Sequence, residues 1–454
     1  MKHFLLILTT LLLHLHTSFA QVDLAYRFKI EPNVMHTTLT YTPIATDSTV
    51  FKYGNEFYGG MKDLMKSMVN LESTVTYKID STSSHVTFYH PKNKSFEIKY
   101  DIIDTHTPEQ RVVGEMFRPI ITDNYFFSLS HTLFLKPETD KENKDISMSV
   151  TLEKKPAFPM YFSIDPEMKP GKAVNLTLEE GMNALACGAT DLHIETRELD
   201  GIKNYIVLRI RKDNKYNLDR FMNYFDAFIP AMNDFWGNLE GDYYSLIASP
   251  FLDIDYHDIS GTAFNNGFHV KYSGDTILAN NEVVSTISHE IMHRFIGAGT
   301  VSLGTEHQWF DEGFNDYTTW YLLAKSGITT QEDFKNSIEQ TYQELTDNPV
   351  NNTPNSEVMK RFWEGKYYKH LPYQRGAMFA AYLDKRITEL SNGSKSFQDF
   401  MRRLKSTSEQ KDALLTEDDF ITVAAEFIPK EEITEALNSY IINGELIPKE
   451  KVVH

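Results

Sequence analysis

Five consecutive residues carry the clearest chemistry in the chain: His289-Glu290-Ile291-Met292-His293, an H-E-x-x-H pattern. Histidines four apart stack on one face of a helix and can share one metal ion. The helix can be checked from its neighbours. Val284, Ile287, Ile291 and Phe295 form one apolar stripe. At about 100° per residue, His289 and His293 fall roughly opposite that stripe. One face can pack on a core while the other looks into a cleft. A third ligand is available in Glu312, within Trp309-Phe310-Asp311-Glu312-Gly313-Phe314-Asn315-Asp316-Tyr317. Two histidines and a glutamate make a three-ligand zinc site with one position left open. Zinc so held is a Lewis acid and draws the pKa of a coordinated water down toward ~7. Glu290 lies between the histidines, placed to take a proton from that water and return it to a leaving group. Asp316 follows Glu312 by one helical turn. It is either a carboxylate that orients a ligating imidazole or a solvated charge. The oxyanion of such a reaction needs a further donor, a Tyr or His from the helical region.

These residues need two helices to position them, and the back half supplies helical spacing. Phe221, Phe225, Phe228, Met232 and Phe235 recur at three and four residues, an amphipathic helix. The pattern predicts a strand over 243–248 and helices over 282–296, 311–325, 373–390 and 397–404. The front half alternates with period two. Val75, Tyr77 and Ile79 do so, as do Phe96, Ile98, Tyr100 and Ile102, and Ile146, Met148, Val150 and Leu152. Turn-like stretches at Ser81–Ser84 and Pro91–Lys94 separate the runs. The reading is an α+β protein. A β-rich, sandwich-like N-terminal domain over 21–212 precedes a mostly helical domain over 213–454. His85 and His90 flank a strand and read as core or solvated side chains. Cys187, the single cysteine, reads as a small buried hydrophobe and excludes an internal disulfide.

The 454 residues carry 45 Lys+Arg against 63 Asp+Glu, a net charge of −18. A chain this acidic repels phosphate backbones, and no basic run offsets it, so nucleic acid is not an expected partner. The apolar run Phe4–Leu13, with Ser18 and Ala20 before Gln21, fits a signal peptide over 1–20. It is shorter than a spanning helix requires. The expectation is an exported protein, periplasmic or secreted, with no stable membrane insertion once the leader is removed.

The metal pattern with Glu312-Gly313 resembles the gluzincin metallopeptidases, thermolysin-like enzymes and aminopeptidases among them. A second stretch narrows the resemblance. Pro372-Tyr373-Gln374-Arg375-Gly376-Ala377-Met378-Phe379 leads into Leu383-Asp384-x-Arg386-Ile387. Ser396-Phe397-x-Asp399-Phe400-Met401-Arg402-x-Leu404 and Leu415-Thr416-x-x-Asp419-Phe420 follow. That succession is similar to the glycyl aminopeptidase family, whose PDZ domain has no room before His454. The resemblance implies a β-rich front domain, a thermolysin-like catalytic domain, one Zn²⁺ per chain, and a peptide or protein substrate. It implies that His289, His293 and Glu312 bind the metal, that Glu290 is the base, and that Tyr373 donates to the oxyanion. Tyr368 and His370 are nearby alternatives. It also implies a glycine-rich substrate-binding strand, here Gly261-Thr262-Ala263-Phe264-Asn265-Asn266-Gly267, with Gly261 and Asn265 as candidate contacts. Phe264 stands where aminopeptidases of the clan carry a glutamate for the substrate's α-amine. Asp253, Asp255, Asp258 and Glu282 are the carboxylates nearest in sequence. The expected activity is that of a zinc peptidase, by resemblance an aminopeptidase. The alternatives are an endopeptidase of the same clan and a non-hydrolytic zinc-containing scaffold. A carbohydrate-binding protein ranks below these, since the aromatic residues are spread along the chain.

Overall fold

The computed structural model describes residues 22–43, 47–54, 63–107, 117–209, 218–237, 243–250, 259–264, 266–272, 281–297, 301–411 and 413–453. The expected leader lies outside them, as do Asn265, Asp253, Asp255 and Asp258. The chain divides into two compact units, Met1–Leu192 and His193–His454.

Among the described residues, three sheets build the first unit. The largest has six strands in the order Ala173–Thr177, Ser147–Leu152, Leu24–Glu31, Val34–Tyr41, Phe96–Ile102, Met68–Ser73. Its pairs are antiparallel except that of Leu24–Glu31 with Ser147–Leu152. Tyr26, Leu39, Phe51, Phe88, Ile98 and Tyr100 share one buried cluster, the inward side of the period-two alternation. Its tyrosine hydroxyls are satisfied within the core. Tyr26 donates to Leu135 O at 2.7 Å, and Tyr100 to Leu133 O at 3.1 Å, so their burial leaves no orphaned polar atom. The alternation misplaces one side chain. Ile79 is 47% exposed, because Thr76–Asp80 is an edge strand of a four-stranded sheet. His90 is buried with Nε2 2.8 Å from Thr49 Oγ1. His85 Nε2 lies 3.3 Å from Glu138, and Cys187 is buried.

The unit boundary falls at 192/193, not at 212/213 as the change of period suggests. Strands Leu192–Leu199 and Ile202–Arg209 belong to the second unit. Ile202–Arg209 runs parallel to Tyr243–Pro250, with Lys203 opposite Tyr243 and Leu208 opposite Ala248. Period two marks a strand but not the sheet that claims it. This five-stranded sheet continues through Gly267–Tyr272 and ends at the edge strand Ile259–Phe264.

The helix Leu218–Trp236 buries Phe221, Phe225, Phe228, Met232 and Phe235. The helix Asn281–Met292 buries Val284, Ile287 and Ile291 in the same core. Trp236 stacks on Phe295 with ring centres 4.9 Å apart, so the apolar stripe is used as expected. The helix stops at Met292, four residues before the predicted end, and Gly297 turns the chain with φ 82°. The predicted 311–325 helix is an α-helix, Asn315–Lys325, preceded by a π-helical turn over Trp309–Phe314. Such wide turns recur at functional sites, and their sequence has no periodicity of its own. The predicted 373–390 helix runs over Lys366–Ser391 with Pro372 inside it. It meets the π turn backbone to backbone. A Cβ on Gly376 would lie 1.7 Å from Trp309 O, and one on Gly313 2.4 Å from the Gly376 Cα. Two glycines facing each other permit this approach. Among the described residues no helix is long and apolar enough to cross a membrane.

Candidate metal centre

The second unit brings His289, His293 and Glu312 together. One potential ligand atom from each lies within 4.8 Å of the others. Both imidazoles present Nε2 to one carboxylate oxygen: His289 Nε2 is 3.1 Å and His293 Nε2 3.5 Å from Glu312 Oε2. The opposite nitrogens are held from behind. His289 Nδ1 lies 2.7 Å from Asp316 Oδ1, and His293 Nδ1 lies 3.0 Å from Ile296 O. Both Nδ1 atoms face acceptors, so a bound metal would leave their protons in place and take the two Nε2 atoms, which otherwise donate to Glu312, as ligands. That donor set fits Zn²⁺.

The electrostatics agree. Burial works against an imidazolium at His289, yet Asp316 and Glu312 outweigh it and raise its pKa well above the ordinary value. His293 is raised likewise, burial being outweighed by Glu312. Burial would lift Glu312, but the two histidines hold its carboxyl below the usual range. Without a cation the three groups compensate one another with protons, and a divalent cation can displace those protons. Glu290 is raised, chiefly by burial, against the lowering effect of both histidines. Its Oε2 lies 4.0 Å from His293 Nε2. A carboxylate raised above its ordinary value and set beside the metal position is better able to take up a proton. The Tyr373 ring stacks over His289 at 6.1 Å between centres. Burial, then Glu312, Asp316 and Glu290, push its pKa upward, so its hydroxyl stays a donor.

A cleft of about 640 Å³ opens over these groups, and Glu290, His293, Glu312 and Tyr373 line it. Gly261 and Thr262, from the edge strand, form part of its wall. A Cβ on Gly261 would fall 2.0 Å from the Phe268 ring, so a side chain there is excluded. Asn265 is not among the described residues. Phe264 does not line the cleft; its ring lies over Gly267, where a Cβ would meet it at 2.4 Å. Tyr368 and His370 do not line it either. Several lining residues carry no signal in the sequence: Ser302, Gly304 and Gln308 come from the segment between the two ligand helices and Leu414 from one more than a hundred residues on. Asp311 also lines the cleft and is only 7% exposed. It accepts from Ser302 Oγ at 3.2 Å, and burial pushes its carboxyl up to about 7. Its place beside Glu312 was the available clue.

A two-helix His₂Glu centre, a partly buried glutamate between the ligands and a tyrosine over one imidazole define a gluzincin zinc metallopeptidase. Residues 262–440 match the peptidase family M1 domain. The solved structures give the same fold. An aminopeptidase N family protein from Idiomarina loihiensis is similar with a TM-score of 0.76 at 15% identity, over 94% of this chain and 77% of that one. An M1 zinc metallopeptidase from Deinococcus radiodurans has a TM-score of 0.56 at 13% identity, over 94% and 95%. Native leukotriene A4 hydrolase from Saccharomyces cerevisiae has 0.55 at 13%, over 94% and 68%. No curated protein matches. The α+β architecture, with its β-rich front and helical catalytic part, is thus shared with zinc peptidases.

Proposed function

We propose that this chain is an exported peptidase that holds one Zn²⁺ and removes N-terminal residues from peptides. The observation that carries the reading is the convergence of His289, His293 and Glu312 beside Glu290 and Tyr373 in one cleft. Zinc, when bound, supplies Lewis-acid polarisation of a carbonyl and acidifies water. Glu290 takes a proton from the attacking water as the new C–O bond forms. It then delivers that proton to the amine nitrogen as the C–N bond breaks. The Tyr373 hydroxyl donates to the oxygen on which charge develops. Asp316 and Ile296 O fix the two imidazoles, so that the ligand geometry precedes substrate binding. The aminopeptidase assignment is supported by the likeness to an aminopeptidase N family protein. A Deinococcus relative was solved bound to a Tyr-Ser-Ala substrate, and peptides are the proposed substrates here. The apolar leader supports export, and the charge of −18 supports the exclusion of nucleic acid.

Phe264 favours a second reading, endopeptidase action. Its ring lies against Gly267, and an aromatic side chain offers an α-ammonium no carboxylate. One digestion separates the readings. The zinc-loaded protein is incubated with a peptide library, free and N-acetylated, beside Glu290→Gln. Stepwise loss of N-terminal residues from free peptides alone is the expected result. Internal cuts indifferent to acetylation would replace it with the endopeptidase reading. Cleavage unchanged by Glu290→Gln would remove the proposed base.

A further inference from the structure

The segment 360–370 is basic within a chain of net charge −18. It reads Lys-Arg-Phe-Trp-Glu-Gly-Lys-Tyr-Tyr-Lys-His, with four cations and one acid. It joins the helix Asn355–Lys360 to the tyrosine helix through a single 3₁₀ turn, Phe362–Glu364. At that turn Trp363 is 83% exposed, the most exposed of the large hydrophobic side chains described, and Tyr367 is 48% exposed. Phe362 packs edge-on against Trp363 with centres 5.0 Å apart. The cations stand around these rings. Arg361 lies 4.1 Å over Tyr368, and Lys366 Nζ lies 5.3 Å from the centre of Tyr367. Arg361 is paired with Glu364 at 2.7 Å, and Lys360 with Glu357 at 3.9 Å. Lys366 and Lys369 are exposed, and neither has an ion-pair partner among the described residues.

We infer that this turn is a peripheral docking site for an anionic phospholipid surface. Three observations select that partner. The charge is complementary: Lys366 and Lys369, exposed and without an ion-pair partner among the described residues, stand beside the exposed rings, so an anionic surface is attracted here although the chain carries −18 overall. The composition is that of an interfacial anchor, with Trp and Tyr at headgroup level and Lys and Arg beside them. The shape is a tip. Two exposed rings, Trp363 on the turn and Tyr367 in the first turn of the next helix, offer roughly a few hundred Å² at most, below the ~800 Å² per partner of a stable protein interface. A lipid interface accepts a tip, and the contact is shallow and reversible, in keeping with a fold whose described helices do not span a membrane. Tyr373 follows Lys366 by seven residues of the same helix, about 10 Å along its axis, so docking holds the tyrosine near the surface.

The test is co-sedimentation with vesicles of phosphatidylcholine alone and with one quarter phosphatidylglycerol, at low and high salt. The full chain and the chain beginning at Gln21 are both used, which separates any effect of the apolar leader. Trp363→Ala and the pair Lys366→Gln, Lys369→Gln are run beside them. Binding to the anionic vesicles alone, abolished by salt, is expected. The double lysine variant should lower the partition roughly tenfold to thirtyfold, and Trp363→Ala should lower it too, with cleavage of a soluble peptide unchanged. Trp363 fluorescence should shift to the blue on binding, and the shift should be absent in Trp363→Ala; Trp236 and Trp309 are already buried and Trp320 is packed against the core. No binding by the chain beginning at Gln21, or binding indifferent to all three substitutions, would overturn the inference. Failure here leaves the zinc chemistry untouched, since the digestion with Glu290→Gln is scored separately.

Discussion

Asp316 and Asp311 sit on either side of Glu312, and their environments give them opposite consequences. Asp316 holds His289 Nδ1 at 2.7 Å, so Asp316→Asn should weaken zinc binding by about 10–100-fold. Competition with a chromophoric chelator measures it, and unchanged affinity would show that the carboxylate is not needed for orientation. Asp311 has its carboxyl pushed by burial from an ordinary 3.8 to about 7. A raised acid favours folding fully only below its unfolded value. Between pH 4 and 7 the unfolded chain ionises while the folded one resists, and above 7 the cost is complete. Asp311→Asn should therefore stabilise the metal-free protein at pH 8 by roughly 1–3 kcal/mol and leave it little changed at pH 4. Urea denaturation at the two values decides, and an unaltered difference between them would refute the assignment. His289, His293 and Glu312 were legible because their spacing alone encodes a shared face and a third donor. Ser302 and Leu414 were not, because the cleft joins residues more than a hundred positions apart.

Elements carry the precision of the centre. The helix that bears Tyr373 touches the turn that bears Glu312 through Gly376 and Gly313. Gly376→Ala should force the two apart, costing about 1–3 kcal/mol of stability by overpacking. Turnover should fall by tenfold or more, because small displacements of reacting groups are expensive. Zinc content should be unchanged, since the atoms that a Cβ on Gly376 would meet belong to Trp309 and Gly313 and not to a ligand. Steady-state kinetics with metal analysis would read both, and a stable variant with unaltered turnover would show that the contact does not set the position of Tyr373. The apolar stripes predicted the helices well. The π turn was hidden because its residues, Trp309 to Phe314, are nearly all buried and leave no polar face to reveal a period. Ile79 misled for the reverse reason: alternation along an edge strand carries an apolar residue outward.

At the scale of the whole chain, the hairpin of residues 192–209 decides where the catalytic unit begins. A chain starting at His193 should fold and bind zinc. One starting at residue 213 should aggregate, because the Tyr243–Pro250 strand loses its parallel neighbour and becomes an open edge. Size-exclusion chromatography of the two distinguishes them, and equal solubility would place the boundary where the change of period first suggested. The ligands themselves have a temporal consequence. His289 to Asp316 span 28 consecutive residues, whereas Tyr373 arrives 61 residues after Glu312. Closing the longer segment costs about 1 kcal/mol more in chain entropy than closing the 19 residues from His293 to Glu312. During synthesis the metal can be captured while the tyrosine helix is still unmade. A nascent chain would then hold zinc before it can cut, and cleavage would switch on only with the docking of the tyrosine helix.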